Sequence, residues 1–235
     1  MSKSGKKIIA VGIDEAGRGP LAGPLAVTAI AATARISNFK FLISKQFSKF
    51  KTRKVPSEPR VLCEIQKSKF LKNIRDSKKL SAKQREGWVK IICENFECKT
   101  AFVGPKIIDK IGIQKATRLA VARLLQKFSN INTNEMRSRC SRWLVVLDGG
   151  MSAPKHYNQE TIIKGDEKVP LIAVASIIAK VSRDKKMLRL HKKFPQYHFD
   201  KHKGYGTRLH YKMLKKLGLS PIHRRTFLFH RRAFL

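Results

Sequence analysis

An apolar run at residues 8 to 13, IIAVGI, stops on two adjacent acids, Asp14 and Glu15, and a glycine-rich turn of Gly17, Arg18, Gly19 and Pro20 follows at once. The run suits a buried strand. A buried strand that ends in two carboxylates needs a reason, because such charge is costly away from water unless a cation lies beside it. The glycines leave backbone N–H groups bare enough for a polar ligand to approach. These residues together predict one wall of a divalent-metal site that handles phosphates.

Composition narrows the partner. The 235 residues include 51 Lys and Arg against 16 Asp and Glu, a formal charge of +35, which makes a polyanion the first partner to consider. The bases are spread along the chain and no apolar stretch approaches the ~20 residues of a spanning helix, so nucleic acid fits better than membrane. IIAVGI is also shorter than the about 7–15 residues of a signal-peptide core, so a cytoplasmic protein is expected. A hydrophobic content of 42% is enough for one sizeable core, and one catalytic domain over 1–235 is expected. Cys63, Cys93, Cys98 and Cys140 form no C-x-x-C pair and read as reduced thiols.

Leu25 to Thr33 predicts a second strand, in a hairpin or meander with the first, whose long Gly/Pro turn hangs over the carboxylates. At about 35–73 the pattern decays into a basic arm dotted with Phe39, Phe41, Phe47 and Phe50, either a solvated loop or a nucleic-acid contact with stacking aromatics. Ser81 is the expected N-cap of a helix over Ala82 to Asn95. A strand over Lys99 to Val103 and a helix over Ile107 to Phe128 follow. Trp143 to Leu147 is the clearest buried strand, and it ends at Asp148 beside Gly149 and Gly150. A lone Asp-Gly is commonly just a turn, but this end repeats the logic of Asp14.

Ser176, Lys180 and Asp184 fall four apart on an expected helix over Ala173 to Arg189 and so share one face. Asp184 can look back at the sheet from there, or simply pair with Lys180. Asp166, in the short loop after Lys164, is an auxiliary candidate. Tyr205 sits between glycines among lysines, where it could stack on a sugar or base. Thr207 is the expected N-cap of a helix closed by Gly218, opening a C-terminal helical segment at about 207–235. His223 and Arg224 follow Pro221 and suit either phosphate contacts or a structural tail.

Carboxylates from separate strands and a helix, converging in a basic protein, suit two hard cations about 3.5–4 Å apart that activate a water and steady the leaving oxygen of a phosphodiester. The chain has no GxxxxGK[ST], no G-x-S-x-G and no zinc-deaminase set, which argues against NTPase, esterase and deaminase chemistry. Metal-assisted phosphodiester hydrolysis remains.

The blocks DEAGRGPLAGP, DSKKLS, LDGG, KGDEKVPLIAVASIIAKVSRD, HKHKGYGT and PIHRR, in this order, resemble ribonuclease HII and cover most of the chain. The resemblance implies an α/β, RNase H-like fold, a central mixed β-sheet flanked by helices with a C-terminal helical part. It implies an endonuclease acting in the cytoplasm on the RNA strand of RNA–DNA hybrids and on single ribonucleotides in duplex DNA, in ribonucleotide excision repair and DNA replication. Incision falls 5′ of the ribonucleotide and leaves a 3′-hydroxyl and a 5′-phosphate. By motif, Asp14, Glu15, Asp148 and Asp184 are the implied catalytic metal ligands for two ions of Mn²⁺ or Mg²⁺, with Asp166 secondary. Gly17, Arg18 and Gly19 are implied to sense the ribose 2′-OH, and Tyr205 to recognise the RNA-to-DNA junction with them. Lys78, Lys164, Lys180, His223 and Arg224 are the candidate phosphate contacts, and a monomer is expected.

The chain departs from the family pattern chiefly in the long, lysine-rich connection between Arg35 and Asn73. Two other readings stand beside the nuclease. A basic RNA-binding or ribosome-associated protein would share the charge without needing the acids. A transposase or junction resolvase of the same fold would share the acids but not the GRG and KGYGT elements.

Overall fold

A computed structural model describes residues 7–35, 81–129 and 143–229. Apart from Arg35, the basic arm lies outside the described residues, as do Lys78, Cys63 and Cys140. Strands β1 (Lys7–Ala16) and β2 (Leu25–Arg35) pair antiparallel, and β3 (Glu97–Val103) pairs antiparallel with β2. On the other side of β1 run β4 (Trp143–Asp148) and β5 (Asn158–Ile162), both parallel, giving a mixed sheet in the order β3-β2-β1-β4-β5.

Side chains alternate across such strands, and each face collects its own core. Val11, Ile13, Val27, Val145 and Leu147 pack beneath helix α2 (Pro105–Ser129), with its Ile108, Val121 and Leu124. Ala10, Ile30, Leu144 and Val146 lie on the opposite face under helix α4 (Pro170–Lys193), against Leu171, Val174 and Ile178, with Ile92 of helix α1 (Ala82–Asn95) closing that side. Burying each such Val, Leu or Ile side chain contributes about 1.5–3 kcal/mol. The approach of α4 to β1 is close. A Cβ on Gly12 would fall 2.7 Å from Leu171, so only a bare backbone fits there.

The helix signals in the sequence are the ones the chain uses. Ser81 caps α1 through a reciprocal bond with Gln84. The helix expected from Ile107 begins at Pro105 and bends at Gly112, whose φ is 77°. That expected from Ala173 is longer at both ends, because Pro170 can occupy a first turn that lacks an N–H partner anyway. A short helix α3 (Gly165–Lys168) precedes it. A 3₁₀ turn at Pro195–Tyr197, helix α5 (Phe199–His202), helix α6 (Arg208–Leu217), capped by Thr207, and helix α7 (Arg225–Phe229) complete the order. None of the described helices is long and apolar enough to cross a membrane.

The long β1–β2 turn is stitched to this C-terminal part rather than hanging free. Leu21 and Ala22 donate backbone N–H groups to Gly204, Gly23 donates to Ile222, and Arg224 donates to Leu21.

Candidate active site

Strand register places the first two acids. Ile13 pairs with Leu147 across the parallel β1–β4 ladder, so Asp14 and Asp148 follow side by side, on strands about 4.8 Å apart. Alternation puts both on the α4 face, and the Ser176 hydroxyl of α4 hydrogen-bonds Asp14. The site thus forms at the carboxyl ends of neighbouring parallel strands, where an open α/β sheet leaves a crevice.

Asp14 is 4% exposed. Burial first, then the charge of Glu15 and also that of Asp148, pushes its carboxyl well above the ordinary value, against the pull of Ser176 and the Glu15 N–H. That N–H lies 2.7 Å from Asp14 Oδ1. Burial raises Glu15 too, and Arg18, 3.4 Å away, opposes the shift. The other oxygen of Glu15, Oε2, is buried without a partner among the described residues. Asp148 accepts the Gly165 N–H at 2.5 Å, which ties the Lys164–Asp166 loop to the site, with Asp166 itself buried in α3.

Three mutually repelling carboxylates with a buried, unpaired oxygen form a donor set that fits a hard cation, since such ions take oxygen ligands and cancel the repulsion. As they stand, no three acidic, His or Cys side chains among the described residues are close enough together to grip one ion. Asp14 and Asp148 each turn an oxygen to a backbone N–H instead.

Asp184 stands differently. Its Oδ1 is 3.0 Å from Lys180 Nζ, the alternative pairing open from the sequence. It lies eight residues along α4 from Ser176, about 12 Å of helix rise. The structure therefore brings Asp14, Glu15 and Asp148 together and leaves Asp184 further along the same helix, held by Lys180.

The Gly17 turn and Tyr205, expected to act in recognition, meet at Arg183, which no local sequence signal marks. Gly17 has φ of 96°, a conformation glycine adopts readily, and a Cβ there would fall 2.1 Å from Arg183 Nε. Its bareness is thus already used by a protein side chain, whereas Gly19 faces open space. Tyr205 is 39% exposed, with Arg183 Cζ 5.4 Å and Lys180 Nζ 5.5 Å from its ring centre. Lys164 is exposed, in a left-handed conformation just before Gly165.

His223 and Arg224, expected at phosphates, have other work in this structure. Arg224 is wholly buried, and its guanidinium donates to the carbonyls of Gly23 at 3.0 Å, Arg18 at 2.9 Å and Gly17 at 2.7 Å. Burial lowers its pKa to about 9. His223 is buried as well. It accepts the Ser220 N–H on Nδ1, so its proton sits on Nε2 and faces His210 Nε2 at 3.0 Å. His210 in turn donates from Nδ1 to the Tyr205 carbonyl at 2.9 Å. Desolvation holds His223 at about 4 and His210 at about 3, so both are neutral rings that orient backbone rather than cations awaiting phosphate. Of the two readings open from the sequence, phosphate contacts or a structural tail, the tertiary pairing of His223 and Arg224 favours the structural one.

A family model described as Ribonuclease HII matches residues 59–234, a segment that begins after the Asp14–Glu15 pair. A ribonuclease HII of Endomicrobium trichonymphae is 40% identical over 218 residues, spanning 92% of this chain and 83% of its own. The crystal structure of ribonuclease H2 from Pyrococcus horikoshii OT3 superposes with a TM-score of 0.60 at 23% identity and 96% coverage of each chain. Bst-RNase HIII in complex with Mn²⁺ gives 0.56 at 15% identity, over 96% of this chain and 66% of that one.

Proposed function

Because this chain belongs to the ribonuclease HII family, an endonuclease family, and has its RNase H-like fold, we propose that it hydrolyses the RNA strand of RNA–DNA hybrids and incises duplex DNA 5′ of a single embedded ribonucleotide. The products are a 3′-hydroxyl and a 5′-phosphate. The observation that carries this reading is the pairing of Asp14 with Asp148 at adjacent parallel strand ends, on one face of the sheet, with Glu15 beside them.

Asp14, Glu15, Asp148 and, from α4, Asp184 would hold divalent metal, Mn²⁺ or Mg²⁺; two bound ions would supply an activated water and charge stabilisation at the leaving oxygen. The neighbour that carries Mn²⁺ supports the choice of metal. For Asp184 to join, its carboxylate would have to exchange Lys180 for the shared site, which would free Lys180 for a phosphate. Ser176 and the Gly165 N–H hold Asp14 and Asp148 in place, so the acids keep their orientation when substrate arrives.

Selection of a ribonucleotide falls to the turn at Gly17, Arg18 and Gly19, acting with Tyr205. The 2′-OH is the group that separates RNA from DNA at one position, and the open space at Gly19 lets backbone approach a sugar. Affinity for the duplex comes from the net charge of +35 through phosphate contacts that position without reading sequence. Lys164, exposed beside the Asp148 loop, is placed for one of them. Strand-specific mapping of products from a DNA duplex carrying one ribonucleotide, with Mn²⁺ and with Mg²⁺, tests the proposal. A single cut 5′ of the ribonucleotide is expected, and an intact duplex, or cutting that ignores the ribonucleotide, refutes it.

A further inference from the structure

Arg183 is fully buried, its guanidinium bonded to backbone carbonyls and its charge offset in part by that of neighbouring Asp184, a costly arrangement that calls for a purpose. Its bonds go to two separate pieces of chain. Nε donates to Pro24 at 3.1 Å and Nη2 to Ala22 at 3.3 Å, both carbonyls of the β1–β2 turn, while Nη2 also donates to Lys203 at 3.0 Å, two residues before Tyr205. The guanidinium fills the space left by the missing Cβ of Gly17 on one side and lies 5.4 Å from the Tyr205 ring centre on the other. Nη1 is buried with no partner among the described residues. Arg183 also directly precedes Asp184 on α4, so it links the helix that carries an acid to both recognition elements.

We infer that Arg183 is a positioning residue that couples the ribonucleotide-sensing turn to the junction-sensing tyrosine, making the two a single rigid reader. The inference rests on the proposed roles of the turn and of Tyr205. A planar fork with fixed donors can bridge three carbonyls while presenting its face to a ring, which the single ammonium of lysine cannot do. Arg224 secures the turn from beneath, its guanidinium bonded to the carbonyls of Gly17, Arg18 and Gly23. Backbone bonds from Leu21 and Ala22 to Gly204 already join the turn and the Tyr205 loop, and Arg183 adds the side-chain bridge that reaches both the turn and the Tyr205 ring.

The test is a double-mutant cycle on cleavage of a DNA duplex with one ribonucleotide. Arg183→Lys is expected to lower kcat at least about tenfold, the scale of one charge-assisted bond, with KM changed less than about threefold, because no phosphate contact is removed. Tyr205→Ala is expected to lower kcat by a similar factor. The double variant is expected to be little worse than the poorer single variant, because both remove the same coupling. Tyr205→Phe, which keeps the ring, preserves the effect of Arg183→Lys. Effects that multiply in the double variant, or an unchanged kcat in folded Arg183→Lys, overturn the inference while the nuclease reading stands. A wild-type protein that leaves the duplex intact overturns both. If Arg183→Lys does not fold, Gly17→Ala replaces it, since the new Cβ displaces the same guanidinium; coupling with Tyr205→Ala supports the inference and multiplied effects overturn it.

Discussion

Two regions of this molecule bury charge, and they treat it in opposite ways. At the β1 and β4 ends, Asp14 and Glu15 are held against their own ionisation, with burial and like charge raising both carboxyls. Beneath the β1–β2 turn, Arg183 and Arg224 are buried more completely, yet their guanidiniums are bonded to backbone carbonyls of the turn and of Lys203. On the proposed function, the acids are a strain kept for a cation and a phosphodiester. The arginines are structure. Removing charge from the first region should cost activity and removing Arg224 from the second should cost stability, which is where the comparison can be broken.

The largest effect is expected at the acids. Asp14→Asn or Asp148→Asn removes a proposed metal ligand, and losing the several kcal/mol a metal supplies to the transition state lowers kcat by about 10³ or more. Binding of hybrid duplex stays close to wild type, because no phosphate contact changes; a filter-binding assay beside the cleavage assay checks both. Next comes Arg224→Gln, which leaves buried carbonyls of the turn unbonded. It should lower the unfolding free energy by about 3 kcal/mol in a urea titration. A variant that melts like wild type would show that the carbonyls need no guanidinium.

Much of the acid region was legible in the sequence, and little of the basic one was. An apolar run ending in an acid beside glycine is a local pattern, and β1, β4 and the helix starts at Ser81 and Thr207 carry local signals of the same kind. β5 escaped notice because Asn158–Ile162 is polar and sits at the sheet edge, with one buried residue and no alternation to see. The pairing of Lys180 with Asp184 was one of two open readings, since spacing sets which residues share a face and not which partner they take. Arg183 and Arg224 are bound to carbonyls far away in the chain, and His210 and His223 to nearby backbone and to each other. A base that bonds to backbone leaves no complementary residue for a sequence reader to find.

Acidification separates the regions as well. His210 and His223 have their pKa values lowered from 6.5 to about 3 and about 4, so the unfolded chain takes up protons where the folded one does not. Their contribution to stability is complete above about 6.5 and is lost as the pH falls toward those values. Thermal scans between pH 7 and pH 4 should show this acid limb, and His223→Gln should flatten it. The smallest change is expected from Thr207→Ala, which removes the α6 cap bond to the His210 N–H and costs about 1 kcal/mol.

The central claim is that the strand-end carboxylates form one under-compensated cluster made for a cation, and the melting midpoint of wild type against Asp14→Asn at neutral pH, in chelator and then in Mn²⁺, tests it most directly. The raised pKa of Asp14 means that its stability contribution is complete below the ordinary carboxylate value and lost as pH rises through the raised one. In chelator, Asp14→Asn should therefore melt above wild type, and Mn²⁺ should raise wild type much more than the variant, as binding to the folded state alone requires. A variant that melts lower in chelator, together with a wild type indifferent to Mn²⁺, would contradict the account.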